Sequence, residues 1–271
     1  MDYKKLQNGS DIRGVALEGI EGQHINLTEK VCRDIGRGFA LWLRNKAGKD
    51  DLRVAVGRDS RLSGCALCGW ICEAMVEAGI QVTNFGMAST PAMFMSTVTE
   101  GYEFDGSVMI TASHLPFNRN GFKFFTAGGG LEKGDIKEIL EYAAGEETTG
   151  LSAGSLVEGS FMDAYAKILA DKIRAATGEE KPLEGFRIVV DAGNGAGGFY
   201  VDKVLKPLVL TPTAAVSWIP MVPSPTTFPT PKTRLLWNPL WKLSVRPRLI
   251  WVSSSTPTLT AQAQFWLTAA N

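Results

Sequence analysis

A serine–histidine pair stands just after an apolar run near the middle of the chain. The run covers residues 107–110, and Ser113 and His114 follow it in a loop rich in proline, asparagine and glycine. The end of a strand holds a hydroxyl group rigidly, while the loop exposes it. Lys123 lies on a second short apolar run, residues 122–125, which can return to the same edge. A hydroxyl that carries a phosphoryl group, cations that neutralise it and a nearby acid or base are the components of covalent phosphoryl transfer.

Spacing alone leaves a second interpretation open, because a Ser-His pair in an arbitrary loop is usually solvated and inert. The identity of the whole string favours chemistry. Residues 111–114 read Thr-Ala-Ser-His, Pro116 follows, and residues 120–123 read Asn-Gly-Phe-Lys. This string resembles the active-site serine loop of the alpha-D-phosphohexomutases, the phosphomannomutase/phosphoglucomutase family. Leu115 stands where the commoner form of the family has asparagine, a departure that bears on sub-specificity and not on the serine.

Three more segments resemble the family in the same order along the chain. Residues 8–14 resemble its opening strand and turn, where an arginine reaches the phosphoserine. A planar guanidinium matches phosphate oxygens in two-point contacts, so Arg13 is a candidate phosphate clamp; the alternative is a surface arginine in a glycine turn. Residues 57–64, Gly-Arg-Asp-Ser-Arg-Leu-Ser-Gly, resemble a loop whose basic rim and helix-terminal N–H groups face anions. Residues 88–93 resemble a Thr-Pro turn before the next helix.

The order of apolar segments predicts an α/β fold. Strands are expected over residues 52–56, 107–110 and 122–125, with helices over 65–78 and 132–144. This alternation implies a mixed or mostly parallel sheet sandwiched by helices, and residues 1–150 are predicted to be domain I of the phosphohexomutases with the phosphoserine loop. A strand-to-helix segment at 156–177 and a strand at 186–190 make residues 151–206 the truncated start of a similar second α/β/α domain.

Composition narrows the class of protein. The chain has 271 residues with 28 basic and 28 acidic side chains, so no nucleic-acid partner is expected from its overall charge. It shows no signal peptide and no run of about 18 apolar residues, so we expect a cytoplasmic protein with no membrane partner. Cys65, Cys68 and Cys72 share one helix face and are interpreted as core thiols; the alternative, a metal site, would need a fourth ligand.

The last quarter of the chain has a different composition. No acidic residue follows Asp202 and no glycine follows Gly198, while ten of the 13 prolines and five of the seven tryptophans lie beyond residue 202. Three interpretations stand for residues 207–271: a basic nucleic-acid or membrane arm, a proline-rich ligand segment, or out-of-frame translation. The basic residues are scattered and the prolines are mixed with bulky apolar residues, which favours the third.

The genetic code supports the out-of-frame interpretation. Synonymous codons can be chosen for residues 250–261 so that the same nucleotides, translated with the frame moved back by one, encode a different peptide. That peptide is Asp-Leu-Gly-Ile-Ile-Phe-Asp-Thr-Asp-Val-Asp-Arg. That string resembles the family's metal loop, Asp-x-Asp-x-Asp-Arg. Residues 219–232 can likewise give a segment that resembles the family's second domain. We therefore expect a frameshift near Pro207, real or a sequencing error, and a poorly structured tail over residues 207–271.

The resemblance implies an isomerase that interconverts hexose 1-phosphate and hexose 6-phosphate. Ser113 would donate its phosphoryl group to a phosphorylated hexose, and the hexose bisphosphate intermediate would reorient and return the other phosphate. Mg²⁺, bound by three aspartates and through the phosphate on Ser113, would supply positive charge. The resemblance also implies that Lys123 and Arg13 supply positive charge, and that Lys123 assists proton transfer. His114 would orient the phosphate or the substrate. The residues implied in substrate or phosphate binding are Arg58, Asp59 and Asn120.

The metal loop, the sugar-recognition loop and the C-terminal phosphate-binding domain of the family are not recognisable in this chain. Because catalysis depends on charge that several domains position together, little or no mutase activity is expected from the polypeptide as written. Two alternatives stay open. The chain is a non-catalytic truncated fragment, or it derives from an enzyme of the phosphoglucosamine mutase type.

The coding DNA tests the frameshift hypothesis. We expect that a single-base insertion or deletion within codons 200–212 opens a reading frame that encodes the acidic Asp-x-Asp-x-Asp-Arg loop. Resequencing the gene checks this directly. The hypothesis is wrong if no single-base change in that region opens such a frame.

Overall fold

A computed structural model describes residues 2–184, 186–191, 195–209, 217–218 and 249–253. The chain divides into two compact units, Met1–Phe161 and Met162–Asn271. Within the part of the chain that the structure describes, no helix is long and apolar enough to cross a membrane.

One eight-stranded sheet organises the first unit. Its strands are β1 (Gln7–Asn8), β2 (Asp11–Val15), β3 (Arg53–Arg58), β4 (Gln81–Met87), β5 (Gly106–Ile110), β6 (Arg119–Thr126), β7 (Gly129–Gly130) and β8 (Ser155–Glu158). They follow the order β1-β2-β6-β5-β3-β4-β8, and β7 pairs with β6. The pairs from β5 through β3 and β4 to β8 are parallel, whereas β2, β6 and β5 pair antiparallel. The predicted mixed sheet is confirmed.

Helices cover both faces of this sheet, as predicted. They are α1 (Glu29–Ala47), α2 (Gly64–Glu77), α3 (Thr90–Met95) and α4 (Lys133–Ala144). Alternate residues of a strand point to opposite faces. Val54 and Val56 of β3 join the core that α1, α2 and α4 build. Gly57 points to the other face, where a side chain would meet Met93 of α3.

The longest helix, α1, has clear signals in the sequence, although we did not predict it. Thr28 caps its first turn by accepting a hydrogen bond from the backbone N–H of Val31, and Gly48 ends it in a left-handed conformation. Buried side chains recur at helical spacing along one side, at positions 31, 32, 35, 39, 42 and 43. The helix is long because these apolar residues continue over its whole length against the sheet.

The first unit extends beyond the predicted boundary at residue 150. Strand β8, which we expected to open the second domain, pairs in parallel with β4 at the edge of the first sheet. The unit then continues to Phe161, whose ring stacks on Phe85 and contacts Tyr102 edge-on. These aromatic contacts hold the segment after β8 against the first core.

The second unit contains a small parallel sheet. The predicted helix and strand are present as α5 (Met162–Thr177) and β9 (Arg187–Asp191). Strands β10 (Ser217–Trp218) and β11 (Leu249–Ser253) flank β9 on its two sides, both in parallel. These two strands come from the tail that we expected to be poorly structured, and most of the remaining tail lies outside the described residues. Leu208, at the start of that tail, is buried against Ala166, Ala170 and Val204.

The cysteines are free, but they do not all lie in the core. Cys32, Cys68 and Cys72 are buried, and the last two sulfur atoms are 3.9 Å apart. Burial raises the pKa of the Cys32 thiol to about 12. Cys65 is exposed in the first turn of α2, so the expectation of core thiols was wrong for that residue.

The crossing of α1 and α4 depends on Gly38. A Cβ atom at this position would lie 2.5 Å from the carbonyl oxygen of Ile139 and 2.9 Å from the backbone nitrogen of Ala143. Gly38→Ala should therefore destabilise the first unit by about 1–3 kcal/mol, as overpacking does. At Gly69 of α2, by contrast, a Cβ atom would have no neighbour within 4 Å. Gly69→Ala should instead stabilise the helix by about 0.5–1 kcal/mol.

Hydrogen exchange of peptides from α1 and α4 measures both effects in the full chain. We expect faster exchange in Gly38→Ala and equal or slower exchange in Gly69→Ala. Equal protection in the two variants would show that the helices do not approach as closely as described.

Candidate active site

The serine loop begins where two parallel strands of the first sheet end. Strand β5 leads into the loop that contains Ser113, and β3 beside it leads into Asp59. The carboxyl ends of parallel strands meet at one edge of a sheet, which is where α/β proteins bind ligands. The backbone N–H of Asp59 donates to the carbonyl of Ile110 at 3.0 Å and continues the pairing into the loops. The two predicted motifs therefore meet at this edge.

Ser113 has an unusual backbone conformation for a residue other than glycine. Its φ angle is 56°, in the left-handed region. Such a conformation costs on the order of 1–3 kcal/mol and persists only where the surrounding structure holds it. The backbone N–H of Ser113 donates to the hydroxyl of Thr111 at 3.0 Å. Ser113 is left half-exposed.

Arg61 binds the backbone of the serine loop. Its guanidinium donates to four backbone carbonyls of that loop: from Nη2 to Ser113 at 2.9 Å and Leu115 at 2.8 Å, and from Nη1 to Pro116 at 2.8 Å and Arg119 at 3.1 Å. Arg61 belongs to the motif at residues 57–64, but no role was predicted for it. The sequence signal was the motif itself, which does not say where the side chain points.

Asp59 neutralises Arg61 in the interior. Its Oδ2 lies 3.4 Å from Nε of Arg61 and accepts a 2.8 Å hydrogen bond from the hydroxyl of Thr111, and its Oδ1 accepts from the Arg61 backbone N–H at 3.0 Å. Burial raises the pKa of the Asp59 carboxyl, opposed by these hydrogen bonds and by the charges of Arg61 and Arg13. Burial also lowers the pKa of Arg61, opposed by Asp59. Asp59 thus belongs to the buried network that contacts the serine loop.

A second network of charges lies on neighbouring strands β2 and β6. Nη2 of Arg13 pairs with Asp11 at 2.7 Å, and Nζ of Lys123 contacts both carboxylate oxygens of Asp11 at 2.7 and 2.8 Å. Nη1 of Arg13 donates to the carbonyl of Thr111, two residues before Ser113. The structure therefore brings the two predicted cations together through Asp11, a residue that the sequence analysis missed.

The other predicted site residues lie at different depths. His114 is exposed, and its Nδ1 is 3.4 Å from Oγ of Ser113. Arg58 is half-buried and donates to the backbone carbonyl of Asp59 at 3.2 Å. Asn120 is fully buried: its amide donates to Oγ of Ser63 at 2.8 Å, and its Oδ1 accepts from the N–H of Gly121. The structure gives Asn120 protein partners where substrate or phosphate binding was predicted.

The residues described by the structure do not form the magnesium site that the resemblance implies. Among them, no group of three or more histidine, cysteine, aspartate or glutamate side chains could hold a metal ion. The two carboxylates of this edge have cationic partners, Asp11 in Arg13 and Lys123, and Asp59 in Arg61. The segment interpreted as a shifted metal loop, residues 250–261, lies mostly outside the described residues.

Comparison with known proteins shows which family the chain belongs to. Residues 4–149 match the family model described as phosphoglucomutase/phosphomannomutase, alpha/beta/alpha domain I. The chain therefore belongs to the phosphoglucomutase/phosphomannomutase family, and the resemblance seen in the sequence is confirmed.

Relatives carry three names. A phosphoglucomutase of Neisseria meningitidis serogroup B is 36% identical over 197 residues, which cover 71% of this chain and 39% of that protein. A phosphoglucosamine mutase of Corynebacterium jeikeium is 34% identical over 198 residues, 71% of this chain and 41% of that protein. A phosphomannomutase/phosphoglucomutase of Pseudomonas aeruginosa is 33% identical over 175 residues, 62% of this chain and 35% of that protein. The chain thus matches about two-fifths of the length of these relatives.

Solved structures agree on the fold. A family protein of Burkholderia thailandensis aligns with a TM-score of 0.62 and 27% identity over 80% of this chain and 45% of that chain. A Thermus thermophilus protein assigned as a phosphomannomutase aligns with a TM-score of 0.70 over 92% of this chain and 54% of that chain, at 22% identity. The second likeness supports the fold alone.

Removing the carboxylate of Asp11 should destabilise the first unit. The Asp11 and Arg13 side chains are largely buried, so Asp11→Ala would remove the ion-pair partner that Arg13 and Lys123 share. We expect a loss of about 2 kcal/mol or more, because an uncompensated charge in a buried site is costly. Asp50→Ala is the matched control, since Asp50 forms a more exposed pair with Arg44; exposed pairs contribute little.

The effect is measured by hydrogen exchange of peptides from β2 and β6 in the full chain. Exchange in the Asp11→Ala variant should accelerate far more than in Asp50→Ala, and added salt should reduce the difference by screening the two cations. Equal effects of the two substitutions would contradict the network.

Proposed function

We propose that this chain contains the phosphoryl-carrying half of a phosphohexomutase active site, with Ser113 as the residue that carries the phosphoryl group. One observation carries the proposal: a half-exposed serine in a left-handed conformation stands at the carboxyl edge of the parallel strands, two residues after Thr111, whose carbonyl Arg13 contacts. Arg13 and Lys123 share the carboxylate of Asp11. A rigid hydroxyl beside fixed cations suits phosphoryl transfer, where catalysis consists mainly of positioning and charge stabilisation.

In the proposed reaction, Oγ of Ser113 attacks a phosphorus atom of a hexose bisphosphate. The new bond is Ser113 Oγ–P, the bond that breaks is the phosphorus–oxygen bond to the sugar, and the hydroxyl proton of Ser113 passes to the sugar oxygen that leaves. Lys123 and His114 are the side chains proposed to move the proton and to orient the phosphate. The reverse step returns the phosphoryl group to a hexose phosphate.

The product of this step needs positive charge around it. A phosphoserine carries about −1.5 to −2 charges near neutral pH. Arg13 can offer it a planar guanidinium and Lys123 a point charge, once their contacts with Asp11 rearrange or are shared. When bound, a divalent metal would supply further Lewis-acid charge in the complete enzyme. The chain's own contribution is to hold the serine and the two cations at one edge.

The complete interconversion of hexose 1-phosphate and 6-phosphate belongs to the longer proteins that this chain matches in part. We propose that residues from about 207 onward are read out of frame and that the missing aspartate loop is encoded in the alternative frame. The polypeptide as written should then accept a phosphoryl group on Ser113 without completing the mutase cycle. The chain would then be a family member that carries a phosphoryl group but does not catalyse the complete reaction.

A second candidate concerns the substrate. Relatives named phosphoglucosamine mutase match this chain with an identity similar to that of relatives named phosphoglucomutase. A glucosamine bisphosphate is therefore a candidate phosphoryl donor beside glucose and mannose bisphosphates. The rates at which these three donors phosphorylate Ser113 distinguish the candidates.

The experiment is to incubate the full chain with glucose 1,6-bisphosphate, the mannose analogue or the glucosamine analogue, and to measure intact mass and the phosphorylated peptide. We expect one phosphate per chain at Ser113 with at least one donor. Ser113→Ala should abolish the modification, and Ser152→Ala, at an exposed serine of the same unit, should leave it unchanged.

Two results would overturn the proposal. Phosphate that appears elsewhere, or on no residue with any of the three donors, would remove Ser113 from its role. Mutase turnover by the purified 271-residue chain would contradict the expectation that the tail lacks the second half of the site.

A further inference from the structure

We propose that Arg61 is a positioning residue: with Asp59 and Thr111 it holds Ser113 in its left-handed conformation. The catalytic consequence rests on the proposed function of Ser113, but the conformational claim does not. Arg61 follows β3, whereas the serine loop follows β5, so the contact joins two separate segments of the chain.

The guanidinium of Arg61 makes its contacts within the protein. An arginine has five N–H donors in a planar fork. Four of them reach the carbonyls of the serine loop, and Nε lies 3.4 Å from the carboxylate of Asp59. The side chain is buried. Nε makes no hydrogen bond, but it is buried and faces the Asp59 carboxylate. Arg61 therefore exposes no donor to a phosphate, which separates its role from that proposed for Arg13.

The hydroxyl of Thr111 donates one hydrogen bond and accepts another. An ionised carboxylate accepts hydrogen bonds and cannot donate, so the single hydroxyl proton of Thr111 points to Asp59. A lone pair of the same oxygen is then free to accept the N–H of Ser113. Thr111 therefore transmits the position of the buried carboxylate to the backbone of the serine.

Hydrogen bonds hold both the N–H and the C=O of Ser113. Its N–H is fixed through Thr111 to Asp59, and its C=O is fixed by Nη2 of Arg61. These groups belong to the two peptide units that flank the Cα atom, so the buried ion pair determines φ and ψ together. The strain of the left-handed conformation is offset by charge-assisted hydrogen bonds, which are stronger than neutral ones.

Lysine cannot replace this arrangement. Its ammonium group has three donors around one nitrogen and no planar fork. In Arg61→Lys the charge opposite Asp59 is kept, but the four carbonyls spread from Ser113 to Arg119 cannot all be reached. Arg33→Lys is the matched control, because Arg33 pairs with Glu73 and Glu77 on exposed helix surfaces away from the serine loop.

Hydrogen exchange in the full chain tests the conformational claim. Arg61→Lys should accelerate exchange at residues 113–119 by at least about tenfold, the effect of losing one or more hydrogen bonds to a charged group. Exchange in α1 and α4 should change far less, and Arg33→Lys should leave the loop unchanged. Thr111→Val should reproduce the acceleration, whereas Thr111→Ser, which keeps the hydroxyl, should restore most of the protection.

Phosphorylation of Ser113 by the hexose bisphosphate that serves the wild type tests the catalytic consequence. Arg61→Lys and Thr111→Val should lower the maximal rate at least about tenfold, with little change in the concentration that gives half-maximal rate, because Arg61 offers no donor to the ligand. Thr111→Ser should recover the rate. A changed half-saturation with an unchanged maximal rate would make Arg61 a ligand-binding residue and overturn the proposal.

The remaining outcomes are also decisive. Unchanged exchange of the loop in Arg61→Lys overturns the proposal, and so does an equal acceleration throughout the first unit, which indicates a general loss of stability. If Arg61→Lys does not fold, the Thr111→Val and Thr111→Ser pair decides by the same criteria. If wild-type Ser113 takes no phosphate, the proposed function fails, while the exchange results still decide whether Arg61 positions the loop.

Discussion

The buried ion pair of Asp59 and Arg61 is the interaction on which the geometry of this edge depends. It lies where β3 ends, and its hydrogen bonds reach the loop that follows β5. A buried pair is costly to form unless further hydrogen bonds stabilise both ions. Here the loop carbonyls accept from both Nη atoms of Arg61 and Thr111 donates to Asp59, while Nε of Arg61 faces that carboxylate without a hydrogen bond. Local geometry and stability are therefore linked: the pair has these hydrogen bonds only when the serine loop has the described conformation, and we propose that the loop keeps its strained serine only when the pair is present.

The pairing of the strands brings this ion pair close to the serine loop. Parallel pairing of β3 with β5 brings the ion pair under the serine, and antiparallel pairing of β5 with β6 and of β6 with β2 brings Lys123 and Arg13 alongside. Two charge networks result. One is the buried pair of Asp59 and Arg61, and the other is centred on Asp11, with Lys123 as its most exposed member. Under the proposed function, the first network positions Ser113 and the second supplies the cations for its phosphate.

Much of this edge could be predicted from the sequence. Apolar runs that end in polar motifs indicated the strands, and the motif order indicated the family and its α/β fold. The roles of Arg61 and Asp11 could not be predicted, because a motif gives the position of a side chain in the chain and not its direction. For the same reason the motif did not reveal that the amide of Asn120, which we predicted to bind substrate or phosphate, donates to Ser63 in the interior. Helix α1 was missed although its capping threonine and apolar spacing were visible. The pairing of β8 with β4 at the sheet edge could not be predicted, because it depends on the order of the strands in space.

The most direct test of the central claim is a crystal structure of the full chain after phosphorylation by a hexose bisphosphate. We expect phosphate on Oγ of Ser113, beside Arg13 and Lys123, with φ of Ser113 still positive and Arg61 still bound to the four loop carbonyls. A guanidinium of Arg61 turned away from those carbonyls toward the phosphate, or a serine relaxed to negative φ, would show that the buried pair does not position Ser113.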